Sequence, residues 1–357
     1  MWIRLGGDRT MSGPPPASWA VDPDQAGARL VQDGLWRLRI PVGWEQFDHV
    51  NAYAIEHSGG ILLVDCGTAG DPSCAMALER ALADADLRLE DVTDLIVTHV
   101  HSDHVGLAAE LRRRLPITIW AHPYDDHTYS VLEDPQGTYE RRVELARRAG
   151  APEGRIEAFA TVREELEGIS GIAKPNRPLL DGVEIDSALG PWRVIETPGH
   201  SPSHVCLVQP DHELAIVGDL LCAAYIIWME YGWTPDPAGE QRNSFARIAA
   251  AGPPALVLPG HGRPLGEVDA LVASHQAEFA RRLGLVRDAL IEGPATAYEV
   301  ADRAFGAGSA EDVLAFEHLG ETVCFLRLLT REHAVAQDQD DGGRNRFRLT
   351  ADPAPAQ

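Results

Sequence analysis

The stretch LIVTHVHSDHVG, residues 95–106, runs from three apolar residues into a segment that holds three histidines and an aspartate within six positions. An aliphatic, β-branched run that breaks into polar residues reads as a buried strand ending in a loop, and loops at strand ends hold side chains rigidly. His99 and His101 can approach one ion from the same side of an extended segment, while Asp103 and His104 lie further along the chain and can reach a second. Imidazole and carboxylate donors without thiolate suit zinc, with manganese and iron as the other candidates. One buried histidine is ordinarily a satisfied core residue; four metal-competent side chains this close together ask for a different explanation.

Working outward, three more apolar runs end in the same residue types: RVIETPGH at His200, LAIVGD at Asp219 and ALVLPGHG at His261. If these strand ends converge, seven ligands surround one point. GILLVDCG (60–67) is a further buried strand, placed before the helical pattern PSCAMALERALADA, and ITIWAHP (117–123) is a third after DLIVTHV. The chain is thus α/β, with layered sheets and helices. Residues 123–178 are polar and helix-favouring and end in the breaker-rich KPNRP, which predicts a helical insertion that covers the active site. His122 and His127, flanking PYDD, read as surface histidines. Beyond residue 268 come helical stretches and then two strands around an Asp-Gly-Gly turn. The expected division is a disordered segment 1–22, a catalytic domain 23–267, a C-terminal domain 268–350 and a disordered tail 351–357, with Met11 an alternative start to Met1.

The chain of 357 residues is 45 % hydrophobic and 24 % charged, enough apolar content for a sizeable core, and its formal charge is −23. Such acidity repels phosphate backbones and anionic lipid, and no basic stripe offsets it: Lys174 is the only lysine, and LRRRL and ARRAG are short solvated helix faces. The expectation is therefore a small-molecule substrate, no nucleic acid and no membrane. Five cysteines without a Cys-x-x-Cys pair suggest neither a disulfide framework nor a cysteine metal site, and fit a reducing cytoplasm. The longest apolar run, LLCAAYIIWM, is too short to span a bilayer.

With these pieces in order, His-x-His-x-Asp-His followed by a distant His, Asp and His, the sequence resembles the metallo-β-lactamase-fold hydrolase superfamily over roughly residues 35 to 265. The resemblance implies an αββα sandwich with two divalent metal ions at one edge: His99, His101 and His200 on one, Asp103, His104 and His261 on the other, and Asp219 bridging both. Asp65 resembles the family aspartate that holds a ligating imidazole from behind, and His204 matches the histidine that follows TPGH in glyoxalase II enzymes. Two departures matter. β-Lactamases of this fold generally put a cysteine in the second site and lack the bridging aspartate, so Asp219 argues against antibiotic hydrolysis as the main activity, and Cys222 stands where homoserine lactonases carry a tyrosine. The C-terminal region resembles the winged-helix domain of the β-lactamase-like protein 2 branch; its acidic residues outnumber its arginines, so packing or homodimerisation is the expected role.

Two ions sharing Asp219 would hold a water between them and lower its pKa towards neutrality, while Asp103 takes up a proton as the tetrahedral intermediate collapses. The expected activity is hydrolysis of an ester, thioester or lactone bond in a small or acyl-chain substrate. The alternatives are a single-strand RNA endonuclease, like some winged-helix relatives, and β-lactam or homoserine-lactone hydrolysis as a minor activity. Tyr225, Trp228, Tyr231 and Trp233 follow Asp219 and are the candidate walls of an apolar substrate pocket.

Overall fold

The computed structural model describes residues 2–3, 21–43, 48–160, 163–252, 254–306 and 315–350. The segments expected to be disordered, 1–22 and 351–357, lie almost wholly outside the described residues. A two-residue strand, β1 (Trp2–Ile3), pairs with β13 (Tyr225–Ile226). The body is two sheets. The first has seven strands in chain order: β2 (Gly27–Gln32), β3 (Leu35–Pro41), β4 (His49–His57), β5 (Gly60–Val64), β6 (Val92–Ile96), β7 (Thr118–Ala121) and β8 (Arg177–Pro178). Its first four strands are antiparallel neighbours and its last four parallel ones. The second sheet, in the order β14-β12-β11-β10-β9, consists of β9 (Glu184–Ile185), β10 (Trp192–Glu196), β11 (Val205–Gln209), β12 (Leu214–Gly218) and β14 (Leu256–Pro259).

The sheets meet through one apolar layer, with Tyr53, Ile55, Leu62, Val64 and Ile96 from the first facing Trp192, Val194, Leu207, Ile216 and Leu258 from the second. Against the other face of the first sheet pack α1 (Pro72–Asp84) and α3 (Ala108–Arg114), through Leu78, Leu82 and Leu111. The second sheet is covered by α8 (Pro237–Ala250) and α9 (Val268–Asp288). This is the expected αββα sandwich. Strands β11 and β12 are buried along their whole length, which is why VCLVQ and LAIVG read as continuous apolar runs. The antiparallel strands β2 to β4 were not anticipated; in β3 the period-two signal is confined to Arg37–Ile40, where partly exposed Arg37 and Arg39 alternate with buried Leu38 and Ile40.

Between β7 and β8 lie four helices, α4 (Asp126–Glu133), α5 (Pro135–Arg148), α6 (Ile156–Ala160) and α7 (Arg163–Gly168), which form the insertion. Lys174 closes it at its base, with Nζ 2.5 Å from Asp125 and 3.2 Å from Asp126. The C-terminal region is α9, α10 (Ala297–Phe305), α11 (Ala315–Arg331) and the antiparallel ribbon of β15 (Val335–Gln339) with β16 (Asn345–Leu349). Helix α10 starts on a reciprocal cap, Thr296 Oγ1 accepting from Glu299 N–H and Glu299 accepting from Thr296 N–H. Insertion and C-terminal region are not detached from the body: Ala146, Ile156 and Phe159 share one buried cluster with Phe325, Leu329 and the second-sheet residues Val208 and Val217. Phe159 also stacks on Phe316 of α11 at 6.1 Å.

Because Phe159 is a core residue, Phe159→Ala should destabilise the protein by about 3–5 kcal/mol in denaturant unfolding. Ile291→Ala, at a side chain 71 % exposed, should change stability by less than about 0.5 kcal/mol. Equal, small effects would mean that the insertion is a loosely attached lid.

Candidate metal centre

Four strand ends deliver the chemistry to one edge of the sandwich. The chain leaves β6 at Ile96 and runs through His99 and His101 into the short helix α2 (Ser102–Val105), which carries Asp103 and His104. His200 follows β10, Asp219 follows β12 and His261 follows β14. The loops are stitched to each other across the sheets: Val205 N–H donates to Thr98 O, Cys66 N–H to His104 O, and Asn51 N–H to Gly260 O. From the first sheet, Asn51 Nδ2 and Tyr53 Oη both donate to Pro259 O, fixing the turn that aims His261.

All seven residues expected as ligands come together, and all but His101 are buried. Three groupings each have their donor atoms within 4.8 Å of one another: His99, His101 and His200; His99, His104 and Asp219; and Asp103, His104 and His261. Asp219 sits between the ends, with Oδ2 3.5 Å from His200 Nε2 and 3.5 Å from His261 Nε2, and Oδ1 3.5 Å from His104 Nε2. His261 Nε2 is 3.1 Å from Asp103 Oδ2.

The hydrogen bonds at the outer side of each ring set its tautomer. His104 Nδ1–H donates to Asp65 Oδ2 at 2.8 Å, and Thr98 Oγ1 donates to the same carboxylate while accepting from His99 Nδ1–H. His200 Nδ1–H donates to Trp228 O at 3.1 Å, and His261 Nδ1–H to His49 O at 3.0 Å. His101 is held the other way round, its Nε2 3.2 Å from Glu230 Oε2. All five rings thus turn their other nitrogen inward, Nδ1 for His101 and Nε2 for the rest, and His101 Nδ1 lies 3.0 Å from His200 Nε2. His99 Nε2, His104 Nε2 and Asp219 Oδ1 are buried and have no hydrogen-bond partner. Converging lone pairs on buried atoms fit a cation and little else.

Electrostatics agrees with that fit. Burial pushes His99 and His200 well below the ordinary imidazole range, with the neighbouring imidazoles adding to it. Burial alone would raise the Asp219 carboxyl, yet His261 and His104 hold it well below the usual carboxylate range. Against the same burial, Asp103 and Asp219 raise His104 well above its usual value, and Asp219 and Asp103 raise His261 to about 9. Without metal, protons on these two rings supply the positive charge that the carboxylates demand.

Asp65, in the left-handed region at φ 60°, supports His104 as the sequence suggested. His204 is fully buried, with its imidazole pushed down to about 3 by that burial, so it is neutral; Nδ1 faces Thr197 Oγ1 and Nε2 accepts from Asp219 N–H. Of the four aromatic residues read as pocket walls, Tyr225 is 1 % exposed and packs in the core against His275, out of reach of a substrate. Tyr231 packs on the same core cluster. Trp228 is half-buried and stacks on Phe316, and Trp233 lies against His127. His127 is no surface histidine: it is buried, with Nδ1 2.8 Å from Glu230 Oε2. Glu230 was missed altogether. It has no spacing relation to the histidines it serves, and only its place in an otherwise apolar and aromatic run, YIIWMEYGW, sets it apart.

Comparison with known proteins agrees with this architecture. The family description Metallo-beta-lactamase superfamily matches residues 46–261, and the chain belongs to that superfamily; it is a metallo-hydrolase. It is similar to the probable metallo-hydrolase YqjP of Bacillus subtilis, 26 % identical over 86 % of this chain and 95 % of the relative. It is also similar to the hydroxyacylglutathione hydrolase GloC of Haemophilus influenzae, 27 % identical over 53 % of this chain and 76 % of the relative. Among solved structures, a metallo-beta-lactamase family protein from Thermus thermophilus superposes with TM-score 0.76 at 24 % identity, covering 90 % of this chain and all of that one. Among the described residues no helix is long and apolar enough to cross a membrane.

Gly260 tests how tightly the centre is built, because a Cβ there would lie 2.3 Å from Asp219 Oδ1 and 2.7 Å from His104 Cε1. Gly260→Ala should therefore lose most metal uptake by elemental analysis while keeping the far-ultraviolet circular dichroism spectrum. Gly284→Ala, in α9 with nothing within 4 Å of its Cβ, should bind metal normally.

Proposed function

We propose that this metallo-hydrolase holds two divalent ions and cleaves an ester, thioester or lactone bond in a small or acyl-chain substrate. His99, His101 and His200 would hold one ion, Asp103, His104 and His261 the other, and Asp219 both. The observation that carries the reading is the position of the Asp219 carboxylate, within 3.5 Å of inward nitrogens from both ends. The all-nitrogen-and-oxygen donor set favours zinc over a soft thiolate-bound metal, with manganese and iron as the other candidates. Cys222 does not compete, since burial, with the Asp219 charge adding to it, pushes its thiol well above the ordinary range.

Bound divalent ions supply Lewis acidity: they polarise a carbonyl and make water nucleophilic at neutral pH. The protein's own groups do the rest. Asp219 fixes the spacing of the two ends. Asp103, with Oδ2 beside His261 Nε2, is the carboxylate placed to accept a proton and pass it to the departing oxygen or sulfur as the tetrahedral intermediate collapses. Asp65 and His204 keep His104 and the Asp219 backbone in place.

Charge supports an acyl substrate over a polyanion, because the chain stands at −23 and the C-terminal arginines are occupied internally. Arg282 is paired with Glu321, Arg303 donates to Ala289 O, Arg344 is paired with Asp340 and Arg346 with Glu299. We accordingly read the C-terminal unit as a winged-helix-like element used for packing. The similarity to a hydroxyacylglutathione hydrolase supports thioesters as one substrate class.

After reconstitution the protein should carry about two ions per chain, since seven donors are too many for one tetrahedral site. Asp219→Ala should lower metal occupancy and turnover together by orders of magnitude, and Cys222→Ser should do neither. Aryl esters, thioesters and lactones should be hydrolysed with weak dependence on ionic strength. Metal-dependent cleavage of single-stranded RNA with steeply salt-sensitive binding, and no acyl hydrolysis, would overturn the substrate class and leave the metal centre standing.

A further inference from the structure

Two of the three imidazoles at one end of the centre are held by a single short segment. Trp228 O takes the Nδ1–H of His200, and two residues on, Glu230 N–H donates to His200 O at 3.1 Å. The Glu230 side chain then turns to His101, with Oε2 3.2 Å from Nε2. The same oxygen is 2.8 Å from Nδ1 of His127, which comes from α4 of the insertion. The far nitrogen of His127 lies 3.0 Å from Ser203 Oγ, and that hydroxyl oxygen accepts from Val100 N–H, the residue before His101. The chain of contacts therefore leaves His101 through its side chain and returns to it through its backbone.

From this geometry we propose that Glu230 and His127 are positioning residues for the metal centre, acting on the His99, His101 and His200 end alone. The inference rests on the metal reading given above. Neither side chain is a ligand in that reading. Glu230 keeps the His101 proton on Nε2 and the Nδ1 lone pair turned inward. His127, buried and wedged against Trp233 and Tyr124, keeps the carboxylate from swinging away. The opposite end has a support of its own in His49 O on His261, and Asp65 serves both ends, holding His104 directly and His99 through Thr98 Oγ1, whereas Glu230 and His127 reach the first end alone. The insertion thus contributes to metal binding itself as well as to coverage of the site. A purely structural role, in which the Glu230–His127 pair only pins α4 to the body, predicts a loss of fold stability with no preference between the two ends.

Titration of metal-free protein with zinc against a chromophoric chelator separates these alternatives. The wild type should show two binding steps. Glu230→Ala and His127→Ala should each weaken one step by about 10- to 100-fold and leave the other within about threefold, with Glu230→Gln intermediate because its amide oxygen can still accept from His101. Asp65→Asn, which disturbs His104 directly and His99 through Thr98, should weaken both steps. The double variant Glu230→Ala/His127→Ala should lose less than the sum of the two single losses, because both act through one carboxylate. Unchanged steps in Glu230→Ala, or equal weakening of both together with a lowered unfolding midpoint of the metal-free protein, would overturn the proposal. A wild type that takes up no second ion would refute the dinuclear reading itself, and this inference with it.

Discussion

Everything at the functional edge depends on one electrostatic constraint: five imidazole rings and two carboxylates converge on one place, and all of them but His101 are buried. Such an arrangement is costly unless positive charge sits among the acceptors. The protein meets the cost structurally by tying the outer nitrogen of every ring, to Asp65, Thr98, Glu230 or a backbone carbonyl, so that no ring can rotate to relieve the repulsion. Gly260 is part of the same device, because any side chain there would occupy the space of Asp219 and His104. In the proposed metal centre, affinity would depend on the supports as much as on the donors.

Those supports extend the centre into parts of the chain that the αββα core does not need. The segment that holds His200 and His101 is itself backed by α11, through the stack of Trp228 on Phe316 and through Cys324 Sγ, 3.8 Å from Met229 O. Phe316 stacks in turn on Phe159 of the insertion. One aromatic row therefore joins the insertion, the C-terminal helices and the segment that holds His200 and His101. The buried Arg282–Glu321 pair, bidentate and backed by the Phe305 ring, keeps α9 and α11 in register beneath it.

The two-sheet body was readable because its central strands are buried on both faces and its turns are marked by glycine and proline; β5, β7, β12 and β14 lie within runs singled out from sequence, and β6 and β10 overlap such runs. Strands β2 to β4 escaped notice. Their residues mix arginine and asparagine with the apolar side chains, and Asn51 and Arg37 are spent on carbonyls of the His261 loop, a use that only the opposing sheet reveals.

What the sequence by itself determined is which side chains are candidates for donors. His99, His101, Asp103 and His104 are local to one loop, and His200, Asp219 and His261 each end an apolar run, so residue type and strand-end position mark them without any contact being known. Asp65 was suggested by its resemblance to the family aspartate. Tertiary structure alone decided which groups stand behind the donors. Glu230 is 129 residues from His101, and no periodicity links residues so far apart. His127 looked like a surface residue because its neighbours Tyr124, Asp125 and Asp126 are polar, and it is buried because helix α4 folds down onto the edge where four strands end. A ligand can be recognised from its chemistry and its local spacing, whereas a hydrogen bond to its far side exists only once distant backbone segments have been packed against each other.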